Sequence, residues 1–145
     1  MMFKRNWWAG QGITRAQSET DHSVRIVVYP SYGGGQSTEL IASYCWTQDA
    51  ATMSSWAQGP KYFVEERLKG IILAELVAIH NIPLKDLETD YQDTPTYDWA
   101  HNPNTMGAFA FFDPSQFSLL LTNLTRPTAE GRLHFAGEAI STCRA

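Results

Sequence analysis

The hydrophobic residues of this chain change period as the sequence advances. Residues 23–30 (SVRIVVYP) and 38–46 (TELIASYCW) are rich in the branched and aromatic side chains that fit a pleated surface, and they predict two strands. In the second, Leu40, Ala42, Tyr44 and Trp46 recur at period two and share one predicted face. Ser31 to Ser37, with three consecutive glycines, reads as a flexible hairpin loop. The period then lengthens. A short helix is expected over 47–57 and a longer one from about Pro60 to His80. There Val64, Leu68, Ile71, Ile72, Leu76 and Ile79 form an apolar stripe at helical spacing. Pro60 suits the first helical position. Glu65 and Lys69, four apart, are expected to pair on the solvent side. Asn81 followed by Pro83 ends the helix.

Beyond it, Leu87 to Trp99 is polar and β-prone. A turn over Ala100–Asn104 leads into an apolar strand from Met106 to Phe112. Asp113-Pro114-Ser115 turns the chain into a helix near 115–124, and 125–131 is a loop. Leu133–Phe135 then reads as a buried strand. A tight glycine turn follows at Ala136-Gly137-Glu138, and after it the first turn of a helix. Strands and helices mix without strict βαβ alternation. The expected fold is α+β, a mixed β-sheet with flanking helices, closed by a strand-turn-helix that looks different in kind.

Bulk properties narrow the function. The 145 residues suffice for one domain of ordinary size. A net charge of −4, with Lys4-Arg5 the only adjacent basic pair, argues against nucleic acid as a partner. The longest apolar run, Ile71–Ile79, is interrupted by Glu75 and is too short to span a membrane. The N-terminus lacks the apolar core of a signal peptide, and the compartment stays undetermined. Asn123-Leu124-Thr125 is a lone glycosylation sequon. Cys45 and Cys143 form no CxxC and are expected as buried thiols. No two of the four histidines stand at metal-ligand spacing, so no metal is expected. There is no GxSxG, and Gly33-Gly34-Gly35 fits neither a P-loop nor GxGxxG. Glu65-Glu66 reads as a solvated face.

A set of short motifs does carry a signal through its order. Phe3-Lys4-Arg5-Asn6-Trp7-Trp8 comes first, then Arg25-Ile-Val-Val-Tyr-Pro30 and Ile41-Ala-Ser-Tyr44-Cys-Trp-Thr-Gln-Asp49-Ala50. Trp99, Met106-Gly-Ala-Phe109-Ala-Phe111, Pro114-Ser-Gln-Phe117 and Arg132-Leu-His-Phe-Ala-Gly137-Glu138 complete the series. Each alone is weak. Together they resemble the flavin amine oxidase superfamily, and the Tyr44–Ala50 block resembles its L-amino-acid oxidase branch.

The resemblance implies an FAD-dependent enzyme. It would deaminate L-amino acids with oxygen, giving 2-oxo acids, ammonia and hydrogen peroxide, with the redox chemistry carried by the flavin. It implies that Tyr44 donates to the substrate carboxylate, a role a phenol in an apolar pocket can fill. Phe109 would line the side-chain pocket, and Trp99 would lie close to the flavin ring. Glu138 would contact the cofactor, with Gly137 admitting a close backbone approach. Ala145 stands where the family carries a cofactor-contacting glycine. Each residue has a plainer alternative: core aromatics for Tyr44, Phe109 and Trp99, and a helix-entry acid for Glu138. Residues 1–99 would belong to the substrate-binding domain and 100–145 to a Rossmann-like FAD-binding domain. The family's GxGxxG turn and its carboxylate-clamping arginine have no counterpart here. The expectation is therefore a C-terminal fragment, inactive alone, of a full-length homodimer. The alternatives are a noncatalytic remnant, an oxidase of amines, or a small α+β ligand-binding domain that shares short motifs.

Overall fold

The computed structural model describes residues 1–141. Helices and small antiparallel sheets make an α+β chain, and it divides into two compact units between Asp98 and Trp99. Cys143 and Ala145 lie outside the described residues.

In the first unit, β2 (Gln17–Glu19), β3 (Ile26–Val28) and β4 (Ile41–Tyr44) form one antiparallel sheet. β1 (Met2–Phe3) pairs with β5 (Tyr91–Asp93), also antiparallel. The expected mixed sheet is thus replaced by antiparallel pairs. Short connections such as the Tyr29–Leu40 loop return a chain alongside itself, whereas parallel pairing needs a long crossover. β3 and β4 fall within the two predicted strands. β1 is too short to show a period, and β2 is both short and polar.

Three helices complete this unit: α1 (Thr47–Trp56), α2 (Lys61–His80) and α3 (Leu84–Asp90). Pro60 sits one position earlier than expected, as the cap residue of α2, with extended ψ of 137°. Asn81 ends α2 in the left-handed region at φ 52°. Val64, Leu68, Ile72, Leu73 and Leu76 bury the inner face, while Ile71 and Ile79 flank it half-buried. Glu65 does not take Lys69. Glu65 pairs with Lys61 and Glu66 with Lys69, so both glutamates hold lysine partners on the outer side. α3 occupies part of the stretch expected to be β-prone. Pro83 opens it, Asp86 stands in its first turn, and Leu87 is buried to 1%.

Phe3, Trp7, Trp8 and Tyr29 pack with the buried face of α2. Trp7 and Trp8 meet edge to face, ring centres 5.4 Å apart, in a short 3₁₀ turn over Trp7–Gln11. His80, the last residue of α2, closes this core through hydrogen bonds. Its Nε2 lies 2.7 Å from the Tyr29 hydroxyl and its Nδ1 3.2 Å from Gln11 Oε1. These partners assign Nδ1–H as donor to Gln11 and Nε2 as acceptor from Tyr29. Burial lowers the His80 pKa below its ordinary value and raises that of Tyr29.

The second unit contains α4 (Gln116–Leu124), close to the predicted helix. The expected strand over Met106–Phe112 is absent. The chain bends over 106–109, with Met106 and Phe111 each 80% exposed. Its apolar run lacks a pairing partner within this unit, and a strand without a ladder leaves its backbone groups to water. For the same reason Leu133–Phe135 is not a strand. Leu133 makes only an isolated bridge to Thr128. The helix expected next is one 3₁₀ turn over Glu138–Ile140. No helix among the described residues is long and apolar enough to cross a membrane.

Candidate functional site

In the first unit, Tyr44 ends β4. The β3–β4 register shifts between Ile26↔Tyr44 and Val28↔Ile41, so three steps on β4 oppose two on β3. A bulge of this kind re-aims the side chains beyond it. Leu40 and Ala42 point into the core as the period-two pattern expects, but Tyr44 and Trp46 do not. Tyr44 is 48% exposed, its ring 6.1 Å from that of Trp46. Tyr44 is therefore not part of the buried core of this unit.

Two ties flank this tyrosine. Ser43 Oγ donates to the Val24 carbonyl at 3.1 Å, and Arg25 Nε lies 2.9 Å from Asp49 Oδ2 in the first turn of α1. Arg25 and Asp49 both stand in the motif series of the sequence, but their pairing is not legible there. Cys45, next to Tyr44, is half-buried rather than buried. Burial pushes its thiol above the ordinary range.

The second unit brings together two of the sequence-predicted segments. Glu138 Oε2 accepts the Ala110 backbone N–H at 2.9 Å, so the acid abuts the segment that carries Phe109. Phe109 is 55% exposed. Gly137 has φ +141° and ψ −175°, a backbone state that L side chains rarely adopt. A Cβ placed on it would meet no atom within 4 Å, which leaves its face open. Trp99 anchors the start of this unit through its carbonyl, which accepts from Gly107 N–H at 3.1 Å and Thr105 Oγ1 at 2.9 Å. Its ring is half exposed.

An open groove of about 500 Å³ runs beside Gly137. Phe135, Ala136, Ala139, Ile140 and Leu124 give it an apolar lining, and Asn123, Arg126 and Thr128 add polar groups. Arg126 and Thr128 carry no sequence signal, because they become neighbours only when the 125–131 loop folds back. The groove thus offers an open glycine face between apolar walls, while the neighbouring Glu138 carboxylate lies outside its lining and is turned to Ala110.

Comparison with known proteins gives the family. Residues 1–144 match the family described as flavin containing amine oxidoreductase. The chain belongs to that family. L-amino-acid oxidase 4 of Hebeloma cylindrosporum is 47% identical over 97% of this chain and 24% of its own length. A putative bifunctional amine oxidase of Dictyostelium discoideum is 40% identical over 97% of this chain and 14% of its own. The L-amino-acid oxidase of Siganus canaliculatus is 33% identical over 95% of this chain and 24% of its own. The chain thus spans a quarter or less of the length of these relatives.

Proposed function

We propose that this chain works as part of an FAD-dependent L-amino-acid oxidase. The observation that carries this reading is the Gly137-Glu138 turn. An open glycine face and an acid held against Ala110 N–H are what a flavin edge would meet. Glu138 and Gly137 would hold the cofactor, with Trp99 near its ring system. The 2-oxo acid, ammonia and hydrogen peroxide formed from an L-amino acid, water and oxygen need a redox group, and FAD supplies that chemistry when bound.

The chain's own residues would bind and orient. Tyr44, turned outward by the β4 bulge, would donate its O–H to the substrate carboxylate. Phe109 would contact the substrate side chain and favour apolar or aromatic amino acids. We assign residues 1–99 to a substrate-binding domain and 100–145 to a Rossmann-like FAD-binding domain. Ala145 is included among the cofactor contacts on the resemblance alone. The activity and any homodimer belong to a protein with the remaining parts that the relatives possess. The name of the Dictyostelium discoideum relative supports a second reading, an oxidase of amines, in which Tyr44 would find no carboxylate.

The test is the flavin content of Glu138 variants in an oxidase that contains this chain. Glu138→Ala should release cofactor while the fold is kept. Glu138→Gln retains an acceptor for Ala110 and should keep the turn while weakening FAD binding. Loss of the Ala110 bond alone would cost about 0.5–1.5 kcal/mol of stability with flavin retained. Full occupancy and unchanged affinity in both variants would reduce Glu138 to a structural acid.

A further inference from the structure

Tyr44 is surrounded by more constraint than a surface aromatic needs. Arg25 meets it in an isolated backbone bridge, and Arg25 itself lies in the left-handed region at φ +59°. Three residues after Tyr44, Thr47 has φ +55°, an outlier for a β-branched residue. The bulge lies between these two points. Such conformations persist where the surroundings over-determine them, and they gather at functional sites. The Arg25–Asp49 ion pair joins both ends of this irregular stretch.

Ordinary explanations leave the pair unaccounted for. Asp49 already suits the first turn of α1 without a partner. Both side chains are well exposed, at 41% and 35%, and pairs of this kind contribute little to global stability. What the pair does join is the residue before β3, which bridges Tyr44 through its backbone, and the first turn of α1, and Tyr44 and Trp46 stand between β4 and that turn. We infer that Arg25 and Asp49 are positioning residues that clamp the β4–α1 junction and set the direction of the Tyr44 phenol. The inference rests on the reading of Tyr44 as the carboxylate donor. Without the clamp the phenol samples several directions, and apparent substrate affinity falls with the competent fraction.

The test follows the Tyr44 ring by NMR in the full chain with ¹³C-labelled tyrosine, the resonance being assigned through Tyr44→Phe. Arg25→Gln should displace the Tyr44 signal and weaken its cross-peak to Trp46. The buried Tyr29 signal should stay in place as the control for folding. Asp49→Asn should give the same displacement, and the double variant no more, since the two act as a unit. Raising salt to about 1 M should move the Tyr44 signal of the unmodified chain the same way, because exposed pairs are screened. If a variant unfolds and Tyr29 shifts too, the salt series decides alone. A Tyr44 signal that ignores salt and both substitutions overturns the clamp.

In the oxidase, Arg25→Gln should raise KM about three- to tenfold with kcat and flavin content unchanged. Arg25→Lys should restore part of the loss. If Tyr44→Phe impairs turnover while Arg25→Gln leaves KM alone, the positioning role is wrong. If Tyr44→Phe itself has no effect, the substrate role of Tyr44 fails and the NMR result still judges the clamp.

Discussion

At the residue scale, the two side chains that say most are Tyr44 and His80, and they differ in environment. Tyr44 is held outward by a bulge, so removing its hydroxyl should not disturb packing. On the proposed reading, Tyr44→Phe would delete one bond to a charged carboxylate, worth about 1.5–3 kcal/mol. In the oxidase the expected loss is about ten- to a hundredfold in kcat/KM with flavin content unchanged. Steady-state kinetics on the best substrate checks it, and parental values would leave Tyr44 without a substrate role. His80 is the opposite case, a buried base hydrogen-bonded by Tyr29 and Gln11 and favoured in its neutral form by burial. Its folded pKa lies below its unfolded value. The unfolded state therefore binds more protons on acidification, and stability declines as pH falls below the ordinary histidine range near 6.5. Above that range the contribution is fully present. The midpoint of thermal melting should drop from pH 7.5 to pH 5.5, and His80→Gln should flatten that drop. An equally steep drop in the variant would place the proton elsewhere.

At the element scale, α2 dominates the first unit. Leu76 is fully buried on its inner face. Leu76→Ala should destabilise by about 2–5 kcal/mol through lost burial and a residual cavity. Chemical denaturation followed by tryptophan fluorescence reads this directly, since Trp7 and Trp8 share the same core. A loss under about 1 kcal/mol would mean that α2 is not the anchor of this unit. The long helix was legible because six apolar positions repeat at its period and a proline and an asparagine mark its ends. The apolar run at 106–112 predicts a strand that does not form, for a physical reason. An apolar run states a wish for burial, but only a partner strand supplies the ladder, and none stands beside it in this unit. α3 was missed because seven residues carry too few turns for a period to show.

At the scale of the whole molecule, the proposed cofactor contacts are the open face of Gly137 and the apolar groove beside it. The chain has no GxGxxG turn to cradle a pyrophosphate. Titrated with FAD, it should bind weakly, with a dissociation constant above roughly 1 µM or no measurable binding. Quenching of flavin fluorescence measures this. Stoichiometric submicromolar binding would show that the second unit holds the cofactor without further parts.

What the sequence determined by itself were the properties that depend on neighbours along the chain. The two strands and α2 follow from local period and end signals. Family membership follows from the order of short motifs, each kept in place by its own local chemistry. The tertiary structure decided what depends on contacts across the chain. Alternation along 38–46 puts Tyr44 on the core face with Leu40 and Ala42. Only the register slip against β3 turns it outward, because a bulge exists in a pair of strands and not in one. The pairing of Arg25 with Asp49 and the bond from Ala110 to Glu138 join residues 24 and 28 positions apart. No periodicity reaches that far, so only the folded chain could bring these partners together.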